Sequence, residues 1–455
     1  MRKKRWGAAA GSAIVATALL AGCGGGANNA PQNTPSGTVP QQSTGGQGNV
    51  SGTLEIQYFV GGYGDAWWKQ VIADFKKAYP NVTIKEDTGP QINTQMQPRW
   101  ASGNPPDVVY IDGAGADETK MVESRQLMDL TDWAKTLKME DGTPVLEGLL
   151  TQPHQYDGKI YTLPLVFDTW GTWYDAALFK QKGWNVPTDF SSWMDTMGKI
   201  KADGSMQPFV TTGVYPYYFI RGVLYPAFAA VGGDQLLQDL VSGKQGAWSS
   251  PQTLKVMQKV QQMQQAGYID QSFAALNHTQ SQMNWLLHKD AFIPVGFWLP
   301  NEMKGNIPNN FEFGFIPTPM NDPGTKYHII PDLRPLAIAK NAKNPDAAKA
   351  FVAFVFEHGQ TYAKTWSEMT GAMLNVKGVD LSNDNQVPNY LKSATAMIND
   401  PSKVELNHLP YPMSKDLETP ISNALISLMQ GKIDAQTFCS EAEKAAASYR
   451  ASGGQ

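Results

Sequence analysis

Thr53-Leu-Glu-Ile-Gln-Tyr-Phe59, Trp68-Lys-Gln-Val-Ile-Ala-Asp-Phe-Lys-Lys-Ala-Tyr79, Asn81-Val-Thr-Ile-Lys-Glu86 and Asp107-Val-Val-Tyr-Ile-Asp112 are consecutive runs whose order decides the fold. The first has the β-branched and aromatic content of a strand. In the second, Trp68, Val71, Ile72, Phe75 and Tyr79 fall on one face at helical spacing, with Lys69, Asp74, Lys76 and Lys77 opposite. Asp65 is placed to cap this helix, and Pro80 stops it. The third run is a short strand, a polar helix follows from about Gln91, and Pro105-Pro106 precedes the last strand. A β-α-β-α-β succession of this kind builds a parallel sheet with helices on both faces. Ligands of such sheets bind beyond the carboxyl ends of the strands. Gly61-Gly62-Tyr63-Gly64 and Asp112-Gly113 both stand there.

Upstream of this unit the chain reads as an address. Arg2, Lys3, Lys4 and Arg5 precede an apolar and small-residue stretch, Ala8 to Leu20. That stretch is shorter than the roughly 20 residues of a membrane span and fits a secretory signal. It ends in Leu20-Ala21-Gly22-Cys23, which resembles the bacterial lipobox, so residues 1–22 are expected to be removed and Cys23 lipidated. Each buried acyl CH₂ contributes about 0.8 kcal/mol, so a multiply acylated Cys23 would anchor stably. No charged residue occurs between Arg5 and Glu55, and residues 23–52 are rich in Gly, Asn, Gln, Ser, Thr and Pro. Such a tract reads as a flexible tether. No other segment reads as a membrane span.

Downstream, Tyr161 to Tyr174 is extended and aromatic, and helices are expected from Ala176 and Ser191. Val214 to Tyr225 reads as a loop rich in Tyr and Pro. Pro251 opens a helix with Gly267 just past its end. Ala291 to Trp298 reads as a buried strand, and Pro345 opens a helix that Gly359 terminates. The 455 residues carry 42% hydrophobic side chains, enough for two or three domains. A net charge of −4 leaves no electrostatic footprint for nucleic acid. Only Cys23 and Cys439 are present, which excludes a disulfide framework. Cys439 follows Phe438 in an expected C-terminal helix and should be buried.

Four stretches together resemble the family 1 extracellular solute-binding proteins, the group that contains maltose-binding protein. The first is the N-terminal unit with Pro106 to Asp112. The second is Tyr156-Asp-Gly-Lys-Ile-Tyr161 with Leu163-Pro164 and Tyr174-Asp175-Ala-Ala-Leu-Phe-Lys180. The third is Gly296-Phe-Trp298-Leu-Pro-Asn-Glu-Met303 with Phe313-Gly-Phe-Ile-Pro317. The fourth is Leu336-Ala-Ile338 with Asn344-Pro345-Asp-Ala-Ala-Lys-Ala-Phe351. The segment after Trp298 is similar in particular to binding proteins for N-acetylglucosamine and chitobiose. Asp175 stands where the family more often has Asn.

The resemblance implies an α/β fold of two lobes closing over a cleft. By analogy one lobe takes 53–167 plus 304–362 and the other 168–303 plus 363–455. Hinge crossings would lie near Phe167, Ile316 and Tyr362. It implies a monomeric, lipid-anchored binding protein on the outer face of the bacterial membrane. Its ligand would be a carbohydrate, handed to the permease subunits of an ABC importer.

A sugar offers an apolar C–H face and a rim of hydroxyls, so it calls for aromatic plates beside polar groups. Trp298 matches a stacking position in the family, with Glu302 one helical turn later. Tyr217, Tyr218 and Arg221 match a ligand-contacting aromatic loop. Tyr63 and Asp65 follow the first strand, and Asp112 ends a later one. Trp170 lies on the crossover, beside Trp173. Arg334 could reach a hydroxyl or hold the hinge by pairing near Asp332. For each, packing or solvated surface is the alternative reading.

The Gly-Lys pairs at 158, 243 and 431 lack P-loop spacing, and no H-E-x-x-H, C-x-x-C or G-x-S-x-G occurs. Six scattered His give no metal spacing. Neither a cofactor nor catalysis is therefore expected. Three rival readings share these features. A lipid-anchored glycosidase would need two carboxylates about 5–9.5 Å apart. A binding protein for a polyamine, peptide or metal chelate would set acids beneath aromatics. A sensor subunit would share the fold.

Overall fold

A computed structural model of the chain describes residues 50–409, 411 and 413–453. Cys23, the signal and most of the tether lie outside them. The strands are β1 (Gly52–Phe59), β2 (Val82–Gly89), β3 (Val108–Tyr110), β4 (Thr162–Asp175), β5 (Gln207–Phe209) and β6 (Asp290–Gly296), followed by β7 (Phe313–Ile316), β8 (Tyr327–Ile329), β9 (Pro331–Ile338), β10 (Met373–Leu374) and β11 (Val404–Leu406). The order along the main sheet is β2-β1-β3-β9-β4-β6-β5, with β7 and β10 also on β4, while β8 and β11 pair separately.

The N-terminal unit forms as its sequence requires. β1 pairs in parallel with both β2 and β3. The helix Ala66–Ala78 buries Trp68, Val71, Ile72 and Phe75, and Trp67 besides. Each such burial contributes about 1.5–3 kcal/mol. Asp65 occupies the cap position, but its carboxylate accepts no capping hydrogen bond. Its ψ of −1° departs from the extended backbone that turns a cap side chain toward the first amides.

β4 joins the two halves of the molecule. Residues 162–169 pair antiparallel with β9, which also lies antiparallel beside β3. Residues 170–175 pair with β6 and β7 instead. The strand is buried along 13 of its 14 residues, which explains its continuous apolar run. It ends at Asp175, whose carboxylate caps the next helix by accepting from the Ala177 and Leu178 amides at 2.9 and 3.2 Å. The same carboxylate meets His288 Nε2 at 2.8 Å. The acid at this position serves as both helix cap and histidine partner.

One apolar core lies around β1, β3, β9 and the first part of β4 and extends across to β6. A second is built around Trp193, Phe209, Phe228, Trp248 and Phe438. Cys439 is free and buried in the second, where burial pushes its thiol up to about 11. Trp366, Leu374, Tyr390 and Leu391 pack in the first core.

Three sequence expectations change. The Tyr- and Pro-rich stretch from Val214 becomes helical: Tyr217–Phe219, a π-turn at Ile220–Leu224, then Tyr225–Val241. Pro226 has no amide to offer the Gly222 carbonyl four residues back. The Thr318 hydroxyl donates to that carbonyl instead, so the chain stays helical through a proline. Gly359 ends one helix, Pro345–Glu357, but immediately begins another, Gly359–Thr370. Tyr362 lies inside that second helix, its carbonyl accepting from the Trp67 indole at 3.1 Å, so no strand crosses there. The return crossing is made by β9.

Candidate functional site

Where β4 leaves one half for the other, it carries Asp168 and Trp170. β9 lies alongside with Asp168 opposite Asp332 and Val166 opposite Arg334. Strand alternation puts Asp332 and Arg334 on one face. The Arg334 guanidinium reaches three acids: Nε to Asp112 at 2.8 Å, Nη1 to Asp332 at 2.7 Å and Nη2 to Asp168 at 3.3 Å. Asp332 Oδ2 also accepts from the Trp170 indole at 3.0 Å and from Arg221 at 3.2 Å. Asp168 accepts the Phe297 amide at 3.2 Å, and Asp112 that of Gly113 at 2.7 Å. Gly113 has φ +81°, and a Cβ on it would lie 2.4 Å from the Phe59 ring, so only glycine fits this turn.

Burial pushes Asp168 up to about 7, against the pull of Arg334. Burial likewise raises Asp112. Burial opposes the charge on Asp332 as well, but Arg334 and Arg221 overcome it and hold that carboxyl well below the usual range. The cluster is therefore one firm carboxylate, two softer acids and two guanidiniums, packed together with little solvent.

Aromatic rings wall it. Trp170 meets Trp298 edge-on with centroids 4.7 Å apart and Tyr218 at 4.9 Å. Tyr217 lies 5.0 Å from Tyr218. The Arg221 guanidinium sits 5.1 Å from the Tyr217 centroid, and the Lys415 ammonium 5.3 Å from it. Across from these rings comes the Gly61–Gly64 loop. A Cβ on Gly62 would lie 3.0 Å from the Trp298 Cβ, and the Asn301 amide donates to the Gly62 carbonyl. The loop after β1 and the turn after β6 thus touch across the groove.

The structure brings Asp112, Trp170, Tyr217, Tyr218, Arg221, Trp298 and Arg334 into one constellation. Tyr63 borders it: its buried hydroxyl has no partner among the described residues, and burial, then the charge of Asp168, pushes it well up. Glu302 stands behind, accepting from Gln282 at 3.0 Å and facing His278 at 3.4 Å. His278 in turn stacks at 6.2 Å on Tyr218. Asp65 joins the cluster by neither hydrogen bond nor ion pair among the described residues. Trp173 is core, its indole donating to the Val295 carbonyl at 2.9 Å. Sequence reasoning left out Asp168, whose signal was a lone acid inside an apolar strand. It gave Asp332 only a supporting part, although Asp332 and Arg334 alternate on one strand.

A wall of aromatic rings around paired charges, at strands crossing between two halves, is a place to hold a solute. Residues 61–362 match the family described as bacterial extracellular solute-binding protein. The chain belongs to that family. Among the relatives of this solute-binding protein is the diacetylchitobiose binding protein NgcE of Streptomyces coelicolor, 24% identical over 395 residues, 84% of this chain and 82% of the relative. The multiple sugar-binding protein of Streptococcus mutans is 22% identical over 331 residues, covering 69% and 73%. The GacH receptor of Streptomyces glaucescens, solved unliganded and with acarbose, superposes with a TM-score of 0.65 at 19% identity, covering 88% of this chain and 98% of its own. Apo RafE of Streptococcus pneumoniae gives 0.65 at 19%, covering 87% and 97%. The solute-binding protein thus has the two-lobed α/β fold, with a hinge of crossing strands and a cleft between lobes.

Proposed function

We propose that this solute-binding protein is anchored outside the cytoplasm through lipidated Cys23. There it captures an oligosaccharide or amino sugar and delivers it to the permease of an ABC importer. The observation that carries the reading is the Trp170–Trp298–Tyr218 wall beside the Arg334–Asp332–Arg221 cluster, which pairs flat apolar plates with fixed charged donors and acceptors. The names of NgcE and the S. mutans relative point to sugars, and the segment Trp298 to Met303 resembles binding proteins for N-acetylglucosamine and chitobiose.

Trp298 is the stacking plate. Trp170, Tyr217 and Tyr218 frame it, with Asp112, Arg221 and Arg334 as hydroxyl partners and Tyr63, Glu302 and Asp65 at the margins. By analogy the lobes are 53–167 plus 304–362 and 168–303 plus 363–455, and the return crossing by β9 favours moving 304–330 into the second lobe. The packing of Trp366, Leu374 and Tyr390 on the first core favours moving 363–404 into the first lobe.

Two rivals fit less well. A glycosidase needs one carboxyl to give a proton and another to remain free. Asp112, Asp168 and Asp332 are instead all tied to a single guanidinium. A polyamine would seek unpaired acids, but all three acids already pair with Arg334, and Asp332 with Arg221 as well. The test is thermal stability and Trp fluorescence of residues 24–455 against mono- and oligosaccharides, with polyamines and amino acids as controls. A sugar should raise the melting temperature by mass action, and Trp298→Ala should abolish the shift. A shift from a polyamine alone would reject the sugar.

A further inference from the structure

Away from the aromatic wall, two histidines approach each other from opposite halves of the molecule. His154 lies just before β4. Its Nδ1 meets Glu118 at 3.0 Å, and the other oxygen of Glu118 accepts the Thr162 hydroxyl at 2.8 Å, so the ring is fixed to the first half. His408 follows β11, and its amide donates to Asp234 at 3.0 Å on the helix Tyr225–Val241, part of the second core. Asn407 donates to the same carboxylate at 2.8 Å and meets His328 on β8 at 2.8 Å, so the backbone that carries His408 is tied to that helix. The His154 and His408 rings stand 6.2 Å apart, tilted at 56°.

We propose that His154 and His408 form a proton-operated latch: they pack while His408 is neutral, and they push the two halves apart when both rings are charged.

The surrounding charges set the order of protonation. Burial works against a charge on His154, but the bonded Glu118 carboxylate and Asp332 outweigh it, so this ring takes its proton more readily than an ordinary histidine. Burial and the charge of His154 hold His408 below the ordinary value, with Asp234 opposing them. Glu118, Asp332, Asp234 and His328 are thus the ionisable groups around the pair, together with Tyr156, whose phenol Glu118 helps to raise. As pH falls, His154 therefore takes its proton before His408 does. Acidification charges the second. Two unit charges at this separation near a protein surface change an equilibrium by on the order of tenfold or more before Glu118 and Asp234 offset part of it. Asp332 links the latch to the ligand cluster, because its charge favours the protonated His154 and it holds Arg334, Arg221 and Trp170.

The experiment measures the separation of the halves without ligand. Spin labels are placed at exposed Lys135→Cys and Gln245→Cys in a Cys23→Ser background, where buried Cys439 stays unlabelled. In the purified protein the label distance should lengthen between about pH 7.5 and pH 5. In His408→Gln and in His154→Gln it should stay short at both. An unchanged distance in the parent, or the same lengthening in His408→Gln, overturns the latch. Diacetylchitobiose serves as a second probe and should bind on the order of tenfold more weakly at the lower pH in the parent alone. If it binds at neither pH, the sugar reading suffers, and the distances still decide the latch.

Discussion

Replacing Arg334 by Met should cost about 3–5 kcal/mol, because one guanidinium holds three acids in a nearly dry cluster. Its side chain is only 15% exposed, and Asp168 beside it is fully buried. An exposed ion pair would be worth less than about 1 kcal/mol, so burial makes the difference. Methionine matches much of the arginine stem in volume, which keeps a cavity term small. The loss carries a pH signature. In the parent, Asp332 has a depressed pKa, so its contribution is present above the ordinary carboxyl value and is lost as pH falls. Without Arg334, the buried acids prefer to be protonated. The variant then gains stability as pH falls, and its deficit is largest in alkali. Urea unfolding of parent and variant at about pH 5 and pH 8 measures this through the midpoint at unchanged slope. Arg334→Lys should recover only part, because a single ammonium cannot serve three acids set around a fork. A deficit below about 1 kcal/mol that is equal at both pH values would refute the reasoning.

Asp168, raised to about 7 by burial, favours the folded state when protonated. Its contribution is full below about pH 4 and is lost as pH rises to about 7; Asp168→Asn should flatten that slope in a urea-midpoint profile. Thr318→Val should destabilise by about 1–3 kcal/mol, because the Gly222 carbonyl freed by Pro226 loses its donor; calorimetry reads the loss, and a neutral outcome would mean water replaces the hydroxyl. Cys439→Ser should cost about 1–3 kcal/mol by burying a hydroxyl in an apolar core, and the parent thiol should resist a thiol reagent until the protein unfolds.

The parallel start of the sheet was legible because its signals are local. Strand propensity, a helical apolar stripe and a stopping proline agree over residues 53–112, and β1, β2, β3 and the helix Ala66–Ala78 follow. The stretch from Tyr161 to Tyr174 likewise read as extended, and it is β4; that it is buried along nearly its whole length came from the structure. The helical path through Pro216 and Pro226 was not legible, because the Thr318 hydroxyl that sustains it lies 96 residues from Gly222 in sequence.

By itself the sequence determined the character of the site: aromatic residues near glycine turns and strand ends, with Trp298, Tyr217, Tyr218 and Arg221 among them. Only the tertiary structure decided which of these meet. Trp170 faces Trp298 while Trp173, three residues on, enters the core, because a period of two sends them to opposite faces of β4. It also decided that Arg334 is an internal counter-ion to three acids drawn from β4, β9 and the turn after β3. Pairing is specified by the antiparallel register of β4 on β9, a relation between residues some 160 positions apart that no local pattern encodes.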